Sequence, residues 1–109
     1  MRLKTHIRAA AHLRRAEAAG AFATIARRGD PDAGAIAIKV SITGDAITDR
    51  RAQVFYEIIG ADGIKEWRDP LGGPTEEDAI DGWLEKETGF DPDLWIIEIE
   101  DREGRAFLD

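Results

Sequence analysis

Two adjacent arginine pairs, Arg14-Arg15 and Arg27-Arg28, are the side chains best suited to hold a ligand, because each guanidinium is a planar fork that grips carboxylate or phosphate through paired hydrogen bonds. In a shared cleft they would serve a small anionic ligand or substrate. Acceptors are also plentiful within the chain, since 21 Asp and Glu residues follow Arg28. The carboxylates of Glu98 to Glu103 are therefore expected to hold at least one of the pairs. A second, acidic candidate is Asp91-Pro92-Asp93, whose two carboxylates would suit a hard cation if Glu98, Glu100 or Asp101 joined them. The competing reading is a turn in which the aspartates accept from nearby backbone amides and proline sets the entry into a strand. The spacing lacks the alternating ligands and central glycine of a calcium loop, so no metal site is expected.

Other chemistries find less support. His6 and His12 are the only histidines, and six residues place them about 120° apart on a helix, too far round to clasp one metal. Both are expected at the surface or its boundary. The absence of cysteine removes thiol nucleophiles, disulfides, zinc ribbons and iron–sulfur clusters together. Neither Gly29 to Gly34 nor Leu71-Gly72-Gly73-Pro74 carries the Gly-Lys-Ser/Thr ending of a phosphate loop or a dinucleotide fingerprint. No catalytic residue is assigned and no cofactor is expected. Trp67, Trp83 and Trp95 read as core or edge-of-core residues, because the acidic surroundings of Trp83 and Trp95 do not suit a platform for stacked bases.

These residues must be positioned by a short series of elements. Leu3 to Ala19 is alanine-rich, free of glycine and proline, and followed by Gly20, which predicts a helix. Its periodicity sets Lys4, Arg8, His12 and Arg15 on one side and Leu3, Ile7, Ala10, Ala11 and Ala18 on the other. The small apolar side is expected to lie on a sheet. Ala21 to Arg28 and the alternating Ala35 to Thr43 read as a hairpin across the turn Gly29 to Gly34. After a loop around Gly44-Asp45 and Asp49-Arg50-Arg51, Gln53 to Ile59 and Ile64 to Arg68 form a second hairpin through an Asp-Gly turn. Thr75 is placed to cap a second helix whose first turn carries Glu76, Glu77 and Asp78 and which Gly89 ends, with Gly82 inside it for close packing. Leu94 to Asp101 is a strand, and Arg105 to Leu108 a short return. The fold class is α+β: a mainly antiparallel sheet of about five strands, an N-terminal helix, and a second helix before the last strand. Ile38, Val40, Ile97 and Ile99 are its expected interior.

At 109 residues with 43% hydrophobic side chains, the chain matches one compact domain spanning 1–109. No apolar run reaches the roughly 18 residues a membrane span needs, and Arg14-Arg15 interrupts any signal-peptide core. A cytoplasmic location is expected. The net charge of −7 is unevenly spread: residues 1–28 carry seven Lys/Arg against Glu17 alone, and the remainder eight against 21 acids. The basic segment either packs beside the acidic remainder or offers a surface to an anionic partner.

Two stretches together resemble a known family. One runs Arg2-Leu3-Lys4-Thr5 to Leu13-Arg14-Arg15-Ala16-Glu17-Ala18-Ala19-Gly20-Ala21-Phe22-Ala23, with Arg27-Arg28-Gly29-Asp30 and Ala33-Gly34-Ala35. The other is Phe90-Asp91-Pro92-Asp93-Leu94-Trp95 continuing through Ile96-Ile97-Glu98-Ile99-Glu100-Asp101 to Arg102-Glu103-Gly104-Arg105. Both resemble small bacterial proteins catalogued as a domain of unknown function, family 1491. The resemblance spans nearly the whole chain and implies a single-domain fold without supplying a mechanism. The residues thus favour a non-catalytic binding or interaction domain acting through a protein partner or self-association. The alternative is a small-ligand protein or enzyme using the arginines for an anionic substrate. Nucleic-acid binding through the basic helix is the weaker third, and sequence-specific binding is not expected.

Overall fold

The computed structural model describes residues 3–43 and 51–109; the loop expected across residues 44–50 lies outside them. In chain order the elements are α1 (Thr5–Ala18), β1 (Phe22–Arg27), β2 (Ile36–Ile42), β3 (Arg51–Ile59), β4 (Lys65–Arg68), β5 (Thr75–Glu76), α2 (Glu77–Phe90) and β6 (Trp95–Asp101). The strands form one mixed sheet in the order β1-β6-β2-β3-β4, with β5 also pairing β3. Every pairing among them is antiparallel except β2 with β6.

The expected α+β class is present, and the β3–β4 hairpin forms as its Asp-Gly turn implies, with Tyr56 opposite Arg68 and Ile59 opposite Lys65. The first expected hairpin does not form. β6 lies between β1 and β2, pairing Ile25 with Ile97 on one side and Ile38 with the same Ile97 on the other. The segment 29–34 is therefore an arch over the start of β6. It fits there because Gly29 and Gly34 have no side chain: a Cβ at either would overlap the Asp93 carbonyl oxygen. The Asp30 amide donates to that oxygen (3.1 Å), and the Trp95 indole N–H donates to the Asp30 carbonyl (2.7 Å).

The two helices cover opposite faces. Ile36, Ile38, Val40, Trp95, Ile97 and Ile99 point toward α1, where Ala9 and Ala16 bring the helix close. Ala37, Ala52, Val54 and Ile96 point toward Ile80 and Leu84 of α2. Ile38, Val40, Ile97 and Ile99 are fully buried, as their alternation predicts.

Further corrections concern α2 and the tail. Thr75 is not a helix cap: Thr75 and Glu76 pair with Ala52 and Arg51 on β3, and α2 starts at Glu77 without a side-chain cap. The helix continues through Gly89 to Phe90. Gly82 faces open space and not a packed neighbour, since nothing lies within 4 Å of a Cβ built there. Residues 105–108 form no strand. The Ala106 and Phe107 carbonyls are taken by side chains of α1 instead of by a ladder.

Candidate functional site

α1 is turned round relative to its sequence pattern. Its buried residues are Thr5, Ala9, His12 and Ala16, whereas Leu3 and Ile7 are 57% and 44% exposed and Ala10, Ala11 and Ala18 also face out. The inward polar groups are tolerated because each finds an acceptor. Thr5 Oγ1 donates to the Gly34 carbonyl (2.8 Å), and His12 Nε2 lies 2.7 Å from the Ala106 carbonyl. Arg8 makes a bidentate pair with the buried carboxylate of Glu57 on β3. The helix N-terminus is occupied as well, its Thr5 and His6 amides donating to the Asp32 and Pro31 carbonyls. His12 is thus a core residue, not a boundary one, while His6 is exposed as expected. Nothing in the local sequence marks these acceptors, which come from loops remote in the chain.

The arginine pairs do not converge. Arg15 donates through Nε to the Phe107 carbonyl (3.1 Å) and through Nη2 to His12 Nδ1 (2.9 Å). Arg27 donates to the carbonyls of Pro92 (3.0 Å) and Leu94 (2.6 Å), and the Arg28 guanidinium stacks 5.7 Å from the Trp95 ring centroid. Arg14 is exposed and has neither hydrogen bond nor ion pair among the described residues. The expected carboxylate partners at Glu98 to Glu103 are therefore replaced by backbone carbonyls and an aromatic ring. Asp101 serves Arg105, accepting from Nε at 3.1 Å and Nη2 at 2.8 Å, and also takes the Glu103 and Arg105 amides. The Arg105 hydrogen bond is the main reason its carboxyl is held down to about 2.

Asp91 and Asp93 behave as turn residues. Asp91 Oδ1 accepts the Asp93 amide (3.1 Å), and the Leu94 amide donates to the Asp91 carbonyl. No group of three or more His, Cys, Asp or Glu able to hold a metal occurs among the described residues.

Two features were not legible in the sequence. The first is Lys39, which sits mid-strand on the α2 face at 4% exposure. Its Nζ reaches Asp81 (2.7 Å), Glu77 (3.1 Å) and Glu98 (3.8 Å). Burial opposes its charge, but the Asp81 and Glu77 carboxylates outweigh that and raise its pKa above the ordinary lysine value. The hint available was the i, i+4 pair Glu77/Asp81, which places two acids on one side of a helix. The second is an open groove of about 570 Å³ between the start of α1, residues 32–35, the β3–β4 hairpin and Asp109. Leu3 and Ile59 line it together with Arg8, Glu57 and Lys65. Its charges are mutually engaged: Arg8 with Glu57, and Lys65 with both Asp109 carboxylate oxygens at 2.9 Å. Trp67 Nε1 adds a bond to Asp109 (3.1 Å). Burial opposes the charge of Asp109, yet Lys65 and Trp67 hold its carboxyl down to about 2.

The sequence profile of a family described as a protein of unknown function, DUF1491, matches residues 3–109. The chain belongs to the DUF1491 family. It is similar to a DUF1491 family protein from Caulobacter crescentus CB15 solved by crystallography, at 43% identity and a TM-score of 0.84, over 98% of this chain and 95% of that one. An NMR structure of a DUF1491 family protein from the same bacterium gives 44% identity and a TM-score of 0.84, over 99% and 94%. The solution structure of protein Atu0922 from A. tumefaciens gives 31% identity and a TM-score of 0.75, over 93% and 87%. A search of curated proteins gives no match. Within the DUF1491 chain, the two stretches that carry the family resemblance meet in space. The first supplies the arch 29–34 and the second the Asp93–Trp95 backbone on which that arch rests.

Proposed function

We propose that this protein is a non-catalytic interaction domain whose docking surface is the outward side of α1. The observation that carries this reading is the orientation of that helix, which presents Ile7 and three alanines to solvent while it buries Thr5 and His12, with the exposed Leu3 just ahead of its first turn at the rim of the groove. Apolar residues gathered on one water-facing side of a small domain and bordered by charged ones mark contact surfaces. The histidine beneath supports a structural role, because both ring nitrogens are engaged, by Ala106 and Arg15.

A photo-crosslinking amino acid placed at Ala10 in cells tests this. One defined protein adduct is expected from that position, lost when Ile7→Glu is added, and none from the same probe at Gly82 on α2. Equal labelling from both positions would sink the reading.

A second reading, a small-ligand protein or an enzyme with an anionic substrate, draws on the groove of about 570 Å³. It is the weaker one because Arg8 and Lys65 are already neutralised there and the two arginine pairs point elsewhere. Sequence-specific nucleic-acid binding is not proposed, given the acidic α2 and the net charge of −7. No described helix is long and apolar enough to cross a membrane, and the cysteine-free composition supports a cytoplasmic setting.

A further inference from the structure

We infer that the partner of α1 is an acidic, apolar-faced helix belonging to a different protein; this rests on the reading of α1 as the docking surface. The 14 residues of α1 span about 21 Å, some four turns, so a helix of similar length covers them. Leu3 and Ile7 supply the larger apolar contacts. Ala10, Ala11 and Ala18 leave room for a second helix axis near the close limit of about 8 Å.

Charge decides which helix fits. At 100° per residue Arg14 falls about 20° from Ile7, in the middle of the apolar stripe, and its guanidinium has no partner of its own among the described residues. Covering it with an apolar surface alone would strand a desolvated cation, whereas a carboxylate on the incoming helix satisfies it. Lys4 and Arg15 flank the stripe on one side and Glu17 lies on the other, leaving the rim net positive. Among the described residues Lys4 is held only by an exposed contact to Asp32 at 3.6 Å, which water screens.

The same residues argue against a second copy of this chain. Parallel pairing of two α1 helices sets Arg14 against Arg14, and antiparallel pairing sets the Lys4/Arg15 rim against itself. Both arrangements juxtapose like charges in a two-fold interface.

The test uses the full ¹⁵N-labelled chain with two synthetic helical peptides of about 18 residues. They share a Leu/Ala seam and differ only in flanking Glu or Lys. The Glu peptide is expected to bind, to shift the amides of Leu3, Ile7, Ala11, Arg14 and Ala18, and to weaken as salt rises. Arg14→Glu should weaken it by roughly tenfold or more and favour the Lys peptide, while Arg14→Lys retains most of the binding. Arg14 is exposed, so unchanged amide shifts in the sheet would verify folding of both variants.

Equal binding of both peptides on α1 would overturn the acidic partner while leaving α1 as a docking surface. So would a dimer in sedimentation that Ile7→Glu dissociates. Failure of either peptide to shift any α1 amide at millimolar concentration would overturn the inference; if position 10 also gave no crosslink, the interaction reading would fall with it.

Discussion

His12 Nε2 lies 2.7 Å from the carbonyl oxygen of Ala106, 94 residues further along the chain, and Arg15 Nη2 approaches its Nδ1 at 2.9 Å. The first contact calls for a proton on Nε2 and the second for a lone pair on Nδ1, so the fold selects one neutral tautomer. A second proton would have to sit against a guanidinium.

Burial is the main cause that lowers the His12 pKa below 6.5, with Arg15 and Lys65 adding to it and Ala106 and Asp109 opposing it. Below pH 6.5 the unfolded imidazole takes up a proton that the folded one resists. The unfolded state then binds more protons, and stability falls as pH drops; above 6.5 both states are neutral and the contribution is complete. Urea midpoints between about pH 5 and 7.5 should therefore decline on the acid side, and His12→Gln should flatten that decline. An unchanged slope in the variant would show that His12 is not the group behind the decline.

Asp101 titrates with the same sign at lower pH. Its folded carboxyl is held to about 2 against 3.8, first by the Arg105 hydrogen bond. The stabilisation is present above 3.8 and is lost as pH falls from there through 2. Asp101→Asn should remove that acid dependence and destabilise the protein by about 1–3 kcal/mol, because two backbone amides and a guanidinium keep a poorer acceptor. Carboxyl NMR titration and denaturation at neutral pH measure the two effects separately.

Glycines 34 and 82 should respond in opposite directions to the same methyl group. A Cβ at Gly34 overlaps the Asp93 carbonyl, a backbone atom that cannot swing away, so Gly34→Ala should cost about 1–3 kcal/mol or more. Gly82→Ala meets nothing within 4 Å on the outer side of α2 and should stabilise by up to about 1 kcal/mol through helix propensity. Thermal melts of the two variants should move apart.

Ile38 and Ile97 face each other across the parallel β2–β6 pair and are fully buried. Truncation of either to alanine should cost about 2–5 kcal/mol by denaturant titration. Losses below about 1 kcal/mol in both would mean that the α1-side core is not organised around this pair.

Most of the strand content could be read because alternation is local: Ile36, Ile38 and Val40 share a face wherever β2 is placed. The neighbour of β2 could not be read this way. It is β6, more than fifty residues away, and the arch 29–34 has ordinary turn composition although its glycines answer to a remote carbonyl. α1 misleads for a related reason. Amphipathic reasoning sends its most apolar side inward, and here Thr5 and His12 go inward because Gly34 and Ala106 offer them acceptors. The arginines were recognisable as anchors, but every residue has a carbonyl, so sequence could not tell which ones Arg15 and Arg27 would choose.

The central position of β6 also orders events in time. β1 and β2 leave the ribosome before β3, β4, β5 and α2, yet the strand that must lie between them follows all of these. Until residues 95–101 arrive, β1 has no strand neighbour, one long edge of β2 stays bare, and Ile38 and Val40 lack half of their surroundings. Sheet completion therefore awaits the arrival of β6, and contacts so distant in sequence make for slow closure. Over that interval the nascent chain exposes unpaired, isoleucine-rich edges of the kind that chaperones shield.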